Sequence, residues 1–482
     1  MKISLSHILP TLQLLLICCN PKTDCNKLLS EFESDINAGN FLKAVQLADS
    51  AKKCCAGEVY LLQKIDSLAQ IADRINLDFS LSKDQILRRL EEYSVAVSDS
   101  SLAEWDKKNW LEWRMINGER KYFNRAASNL LLLKMFYEDK ENQLLEIRRD
   151  PEMVSRLAHA QKIVRESGDN TDPVLPVNMK ITYTITVHPD VVPEGEKIRC
   201  WLPWPKENHP RQHKPELFTA SNSNFIIAPD TAIHRSVYME EISHKGMPAV
   251  FSVSFRYQSS GQYFNLANLR IHPYNKTSDI YTKYTSEQLP HICFTENVRD
   301  IADSITTQND DPVTVVRKIY LWFKENIPWT GALEYSIMPN IPEYVISNRR
   351  GDCGMQTFLF MSMLRYKGIP VRWQSGWKVP PGNKNLHDWC EVFYEGAGWV
   401  PVDISYDLLP SENKAFEEFY ISGIDSYRLI VNEGIAGQLY PKKQHLRSEP
   451  YDFQRGEVEW KGGNLYFDKW DYEMKIEYLT AL

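Results

Sequence analysis

The chain has no surplus of positive charge: 56 Lys and Arg stand against 63 Asp and Glu, a net charge of −7 over 482 residues. It has no Arg- or Lys-rich stripe either. Without a basic field to draw phosphates, nucleic acid is excluded as an expected partner. Beyond its first twenty residues no stretch approaches the roughly 20 apolar residues that cross a bilayer. No two of its nine cysteines share a C-x-x-C spacing, which argues against zinc. There is no H-E-x-x-H and no D-x-D-x-D-G, so neither a metallohydrolase helix nor a calcium loop is signalled. The sequence therefore implies no metal and no cofactor.

What is present begins with "MKISLSHILPTLQLLLICCN", one lysine before an apolar run and a cysteine pair. This is the layout of a signal peptide over residues 1–19, and it resembles a bacterial lipoprotein signal. Cys19 is the lipidation candidate, since Cys18 before it is small whereas Ile17 before Cys18 is branched. The expected location is then the cell envelope, periplasmic or anchored to the outer membrane, with the membrane a partner through a lipid anchor if Cys19 is modified. In an oxidising compartment Cys25 can pair with Cys54 or Cys55 across a helical hairpin, and spacing does not choose between them.

The chain as a whole reads as multidomain α+β. Residues 26–170 carry apolar residues at three- and four-residue spacing with few glycines or prolines, a helical domain. It shows no second copy at a fixed period, so it is not a repeat array. At "DNTDPVLPVNMKITYTITV" the period switches to two. A β-sandwich is expected over 176–270 from short alternating segments such as "KITYTITV" and "FSVSFRYQ". The segment "DPVTVVRKIYLWFKENI" is a helix capped by Asp311 with Pro312 in its first turn. Residues 411–482 form a strand-rich extension that can add to one of the sheets.

The chemistry concentrates in "SNRRGDCGMQTFLFMSMLRYKGIPVRWQSGW". A helix from Cys353 to Lys367, stopped by Gly368, puts Cys353 in its first turn, where free N–H groups and the helix dipole favour a thiolate. Gly351 and Gly354 leave the backbone bare beside it. A nucleophile needs a base, and the base an orienting acceptor. Downstream, "NLHDWCEVFYEGAGWVPVDISY" reads as a hairpin with His387 on one strand and Asp403 ending the next. A two-residue turn at Gly396 and Ala397 sets His387 opposite residue 406, so facing Asp403 requires an odd-length loop or a bulge. Asp388 is a rival acceptor, but alternation points it to the opposite face from His387. Cys390 shares that opposite face and reads as core, and Asp352 reads as a turn or helix-start residue.

These elements together resemble the transglutaminase-like superfamily, a branch of the papain-type cysteine acyl-transfer fold. The resemblance rests on a cysteine after Gly-Asp at a helix start, "RYKGIPVR" at its exit, "HDW" opening a strand, and "WVPVD" closing the next. It covers residues 280–410, implying a Cys-bearing helix packed on an antiparallel sheet. It further implies a triad of Cys353 as nucleophile, His387 as base and then acid, and Asp403 as orienting carboxylate. Trp329, in "NIPWTG", is the candidate oxyanion donor beside the Cys353 N–H, with Gln356 the second candidate. The implied reaction is acyl transfer through a thioester, chiefly hydrolysis of an amide or peptide bond in a protein, cell-wall peptide or glycopeptide. The alternatives are amine transfer to protein glutamine and a non-catalytic envelope binding protein.

Overall fold

The computed structural model describes residues 24–55, 57–140, 149–213 and 215–479. The expected signal segment, with Cys18 and Cys19, lies outside them. The chain divides into two compact units, one of residues 1–102 and 111–126, the other of residues 103–110 and 127–482.

In the first unit, helices Cys25–Asn37, Phe41–Cys54 and Val59–Asp78 pack on one another. Leu28, Phe32, Ile36, Phe41, Ala44, Leu61 and Ile65 are buried, the apolar stripes that helical spacing requires. Cys25 is joined to Cys55, one residue beyond the second helix, and Cys54 takes no part in that bond. The helix Lys83–Glu92 starts on a capping box between Ser82 and Gln85. A two-stranded hairpin, β1 (Trp113–Ile116) and β2 (Glu119–Tyr122), completes the unit. Gly39 sits where an added Cβ would lie 2.1 Å from the Met115 carbonyl oxygen, so only glycine lets the connection between the first two helices meet this hairpin.

The second unit holds three larger antiparallel sheets. Two face each other as a sandwich. One has the order β12 (Gly423–Ile424), β8 (Ala249–Tyr263), β3 (Val174–Val187), β16 (Trp470–Leu479), with β5 (Glu216–Ala220) also on β8. The other runs β15 (Gly463–Leu465), β14 (Glu457–Trp460), β4 (Lys197–Pro203), β7 (Ser236–Ile242), β6 (Phe225–Ile227). Alternation in β3 explains the packing: Met179, Ile181, Tyr183, Ile185 and Val187 are buried in the common core. Thr182 and Thr184, between them, hydrogen-bond Ser254 and Ser252 on the outer face. The third sheet, β11 (Gly398–Val402), β10 (Asn385–Tyr394), β9 (Val371–Lys378), β13 (Arg428–Asn432), carries the helix Cys353–Tyr366. Every residue of that helix from Cys353 to Arg365 is buried, as befits a helix apolar on all sides.

Two expected boundaries do not mark separate bodies. The helix Pro151–Ser167, assigned by its periodicity to the helical domain, packs on β3 and β8 of the sandwich. Residues 411–482 add strands to three sheets rather than to one. β12 and β16 join the first sandwich sheet, β14 and β15 the second, and β13 the sheet under the Cys353 helix.

Candidate active site

The loop before Cys353 is fixed by backbone pairing. Gly351 forms a parallel bridge with Trp329, its N–H donating to Pro328 O at 3.2 Å and its carbonyl accepting from Thr330 N at 3.2 Å. Asp352 then caps the helix, accepting from Met355 N at 3.0 Å and from the Tyr335 hydroxyl at 2.6 Å. Cys353 is the first helical residue, where N–H groups have no intrahelical partner. A Cβ on Gly354 would lie 2.2 Å from Tyr335 Oη and 2.7 Å from Asp388 Oδ2. Glycine there lets both groups close on the first turn.

The register doubt resolves through loop length. β10 and β11 pair Tyr394 with Gly398 and Cys390 with Val402, around the three-residue turn 395–397. Carried one step further, this register sets Asp403 opposite Trp389, on the same face as His387 and two residues from it. His387 Nε2–H donates to Asp403 Oδ2 at 2.7 Å, and Asp403 is fully buried. Arg428 Nη2 binds the same oxygen at 2.9 Å, and Ser405 donates to the other. Tyr320, on the helix Pro312–Asn326, donates to the Asp403 carbonyl at 3.1 Å and to the Tyr406 carbonyl at 2.6 Å, holding the turn that presents the carboxylate.

Cys353 and His387 are not joined. Among the described residues, the hydrogen-bond partner of Cys353 Sγ is Asp388 Oδ2, at 3.5 Å. Successive strand residues face opposite ways, so the sulfur stands beside the neighbour of His387 and not at its ring. The bond to Asp403 engages Nε2 and leaves Nδ1 as the ring nitrogen outside that pair.

The charges at rest differ from the thiolate that the helix terminus alone favours. Burial first, then the carboxyls of Asp388 and Asp352, push the Cys353 thiol well above its ordinary value. The half-charge of a helix dipole is outweighed by two closer carboxyls in a dry site. Burial, opposed by Asp403 and reinforced by Arg428, brings His387 down to about 4. At neutral pH the pair is therefore thiol and neutral imidazole. Burial also opposes the charge on Asp403, but His387 and Arg428 hold its carboxyl far below the usual range.

The two oxyanion candidates differ in their surroundings. One N–H of the Gln356 amide donates to the Gly351 carbonyl at 3.0 Å, and its buried Oε1 has no partner. Trp329 is 45% exposed. It lines a cavity of about 390 Å³ together with Gln356 and Ser405, the latter bound to Asp403.

Sequence reasoning missed Arg428, Tyr406 and Gln454. Arg428, fully buried, bridges Asp403 and Asp425 and lies over the Tyr406 ring at 4.5 Å. The signal for it was an arginine inside the apolar strand "YRLIVN". Gln454 Nε2 donates to the His387 carbonyl at 2.8 Å and to Asp388 Oδ1 at 2.6 Å, and no local motif marks it. His209, Glu391 and Glu433 bring donor atoms within 4.8 Å of one another, the geometry of a metal cluster. Arg372 already bridges Glu391 at 2.6 Å and Glu433 at 3.7 Å, so a guanidinium supplies the positive charge there.

Residues 299–404 match the sequence pattern of the transglutaminase-like superfamily. The chain is similar to the uncharacterized protein YebA of Bacillus subtilis, 27% identical over 159 residues, which are 28% of this chain and 21% of that protein. It is also similar to a protein-glutamine gamma-glutamyltransferase of Pseudomonas aeruginosa, 25% identical over 160 residues, 31% of this chain and 24% of that protein. The chain thus spans about a quarter or less of the length of these relatives. Among solved structures, a protein of Cytophaga hutchinsonii provisionally named a cysteine protease aligns with a TM-score of 0.45 and 13% identity, over 64% of this chain and 92% of that one. The periplasmic domain of TgpA from Pseudomonas aeruginosa aligns with a TM-score of 0.26 and 16% identity, over 53% and 94%. The matched stretch spans both Cys353 and the His387–Asp403 pair, and on it residues 299–404 are a domain of the transglutaminase-like superfamily.

Proposed function

We propose that this domain is a cysteine acyl-transfer enzyme with Cys353 as nucleophile, His387 as general base and then acid, and Asp403 as the orienting carboxylate. The observation that carries the reading is the buried His387–Asp403 pair at 2.7 Å, one residue along β10 from the carboxyl that touches the Cys353 sulfur. Because His387 is neutral at pH 7, its Nδ1 can take the thiol proton as sulfur attacks a carbonyl. The imidazolium returns that proton to the leaving amine, which leaves a thioester. Water, deprotonated by His387, then hydrolyses it. The Cys353 N–H and the more exposed Trp329 indole N–H are the oxyanion donors in this scheme, Gln356 having one of its two amide N–H groups on the Gly351 carbonyl.

Hydrolysis of an amide or peptide bond is the preferred outcome, because water is the default acceptor. Transfer to an amine is the second reading, favoured by the name of the Pseudomonas aeruginosa relative. Export is supported by the Cys25–Cys55 disulfide, since such bonds persist in oxidising compartments. No described helix is long and apolar enough to cross a membrane.

The test is incubation with a glutamine-containing dipeptide and with cell-wall peptides, in the presence and absence of hydroxylamine. Ammonia or amine release without hydroxamate indicates hydrolysis, and hydroxamate formation indicates transfer. Neither product from any of these substrates, with Cys353 intact, leaves a binding module as the better account.

A further inference from the structure

We propose that Asp388 is the resting partner of the nucleophile: its carboxyl holds the Cys353 thiol and decides whether the sulfur keeps its proton before substrate arrives. This inference rests on the acyl-transfer reading of Cys353 and His387, and it makes Asp388 a positioning residue of the same site.

The geometry is built around the carboxyl from three sides. Asp388 Oδ2 lies 3.5 Å from Cys353 Sγ. Its other oxygen takes the Gln454 amide at 2.6 Å, and the same amide holds the His387 carbonyl, so one side chain fixes both neighbours on β10. Gly354 admits Oδ2 against the helix, where a Cβ would stand 2.7 Å from it.

The surroundings are acidic. From the helix start come Asp352 and Cys353, and from the segment before it come Tyr335, bonded to Asp352, and Glu334. From the segment before β14 come Glu449 and Asp452. The cation on this side, Arg455, is committed to Glu334 at 2.9 and 2.7 Å and to Glu449 at 2.8 Å. Burial, then Asp452 and Asp352, raise the Asp388 carboxyl, while burial, then Glu449, raise Asp452. Like charges gathered in a buried site oppose one another's ionisation.

Two states follow. With Asp388 ionised, the thiol S–H donates to Oδ2 and the carboxylate opposes any negative charge on sulfur. With Asp388 neutral, its O–H donates to sulfur, and the Cys353 proton can pass to His387 Nδ1 to give thiolate and imidazolium. Asp388 keeps its own proton throughout, so it assists ionisation without consuming a proton in turnover.

The test is the second-order rate of iodoacetamide alkylation at Cys353 from pH 5 to 10, with the site read by mass spectrometry. The full chain is compared with Asp388→Asn and His387→Ala. Asparagine keeps a donor and removes the charge, so Asp388→Asn is expected to label about tenfold faster near pH 8, its profile displaced about one pH unit downward. A profile superimposable on wild type, or slower labelling, overturns the proposal. Should Asp388→Asn not fold, infrared difference spectra of the wild type on alkylation decide. A displaced carboxyl band, ionised or protonated according to pH, is expected, and an unperturbed carboxyl region overturns the proposal. If His387→Ala slows labelling while Asp388→Asn changes nothing, the catalytic reading stands and this inference falls. If Asp388→Asn accelerates labelling and His387→Ala has no effect, the contact stands and the base assignment falls.

Discussion

Replacing Asp403 with asparagine isolates what the buried carboxylate does. Its Oδ2 accepts from His387 Nε2 at 2.7 Å and Arg428 Nη2 at 2.9 Å, and its Oδ1 from Ser405 Oγ at 2.9 Å. An asparagine amide must turn its NH₂ toward one of these donors, so at least one buried bond becomes a donor–donor contact. Arg428, fully buried, would keep Asp425 at 3.0 Å but lose its other carboxylate. Removing one partner of a buried ion pair costs about 3–5 kcal/mol. The surviving Asp425 contact lowers the expectation to about 2–4 kcal/mol, a fall in Tm of about 3–5 °C for a unit of this size. The pH dependence has a definite sign. Asp403 is held below its unfolded value, so its contribution is complete above about pH 4 and is lost as pH falls. The penalty of Asp403→Asn should therefore be full at pH 7 and shrink toward pH 3. Turnover should drop about 10³- to 10⁴-fold, because the imidazole loses the acceptor that fixes its tautomer. Differential scanning calorimetry across pH and an ammonia-release assay read both effects. A Tm within 1 °C of wild type at pH 7, or a penalty that grows on acidification, would refute the reasoning.

Gly354→Ala forces a Cβ to 2.2 Å from Tyr335 Oη. A loss of about 1–3 kcal/mol is expected by denaturant titration, together with an altered rate of Cys353 alkylation. Reducing the Cys25–Cys55 bond, whose sequence separation is 30, should destabilise the first unit by about 3–4 kcal/mol, read as a lower melting transition in dithiothreitol. Asp388 is raised in the folded protein, so its stability contribution is complete below about pH 4 and is lost as pH rises through its folded value. Asp388→Asn should therefore gain stability relative to wild type as pH increases from 5 to 8 in urea titrations. Trp329→Phe should lower kcat with little change in KM, while Gln356→Leu should show a loss in stability through the freed Gly351 carbonyl.

The site was legible where chemistry and local structure coincide. "GDCG" ahead of an apolar run fixed Cys353 at a helix start, and alternation placed His387 and Asp403 on one face once the turn was known to hold three residues. The same alternation directed Asp388 away from His387, and the reading stopped there. The helix bearing Cys353 packs on the face to which Asp388 points, a fact that strand periodicity does not contain. The raised thiol was equally hidden, because burial beside Asp388, Asp352 and Asp403 brings together chain segments up to about fifty residues apart. The tail read as strands, but its division among three sheets is long-range pairing that composition does not specify. Cys55 was preferred to Cys54 only because the second helix ends at Cys54, turning the next residue toward Cys25.

The most direct test of the account is whether Cys353 becomes acylated. The full chain, mixed with an activated ester, quenched in acid and mapped by mass spectrometry, should carry one acyl group on Cys353. The adduct should be absent in Cys353→Ala and slow to form in His387→Ala. An unmodified Cys353, with acyl groups on another cysteine outside the disulfide or on none, would contradict the assignment of a nucleophile to this helix start.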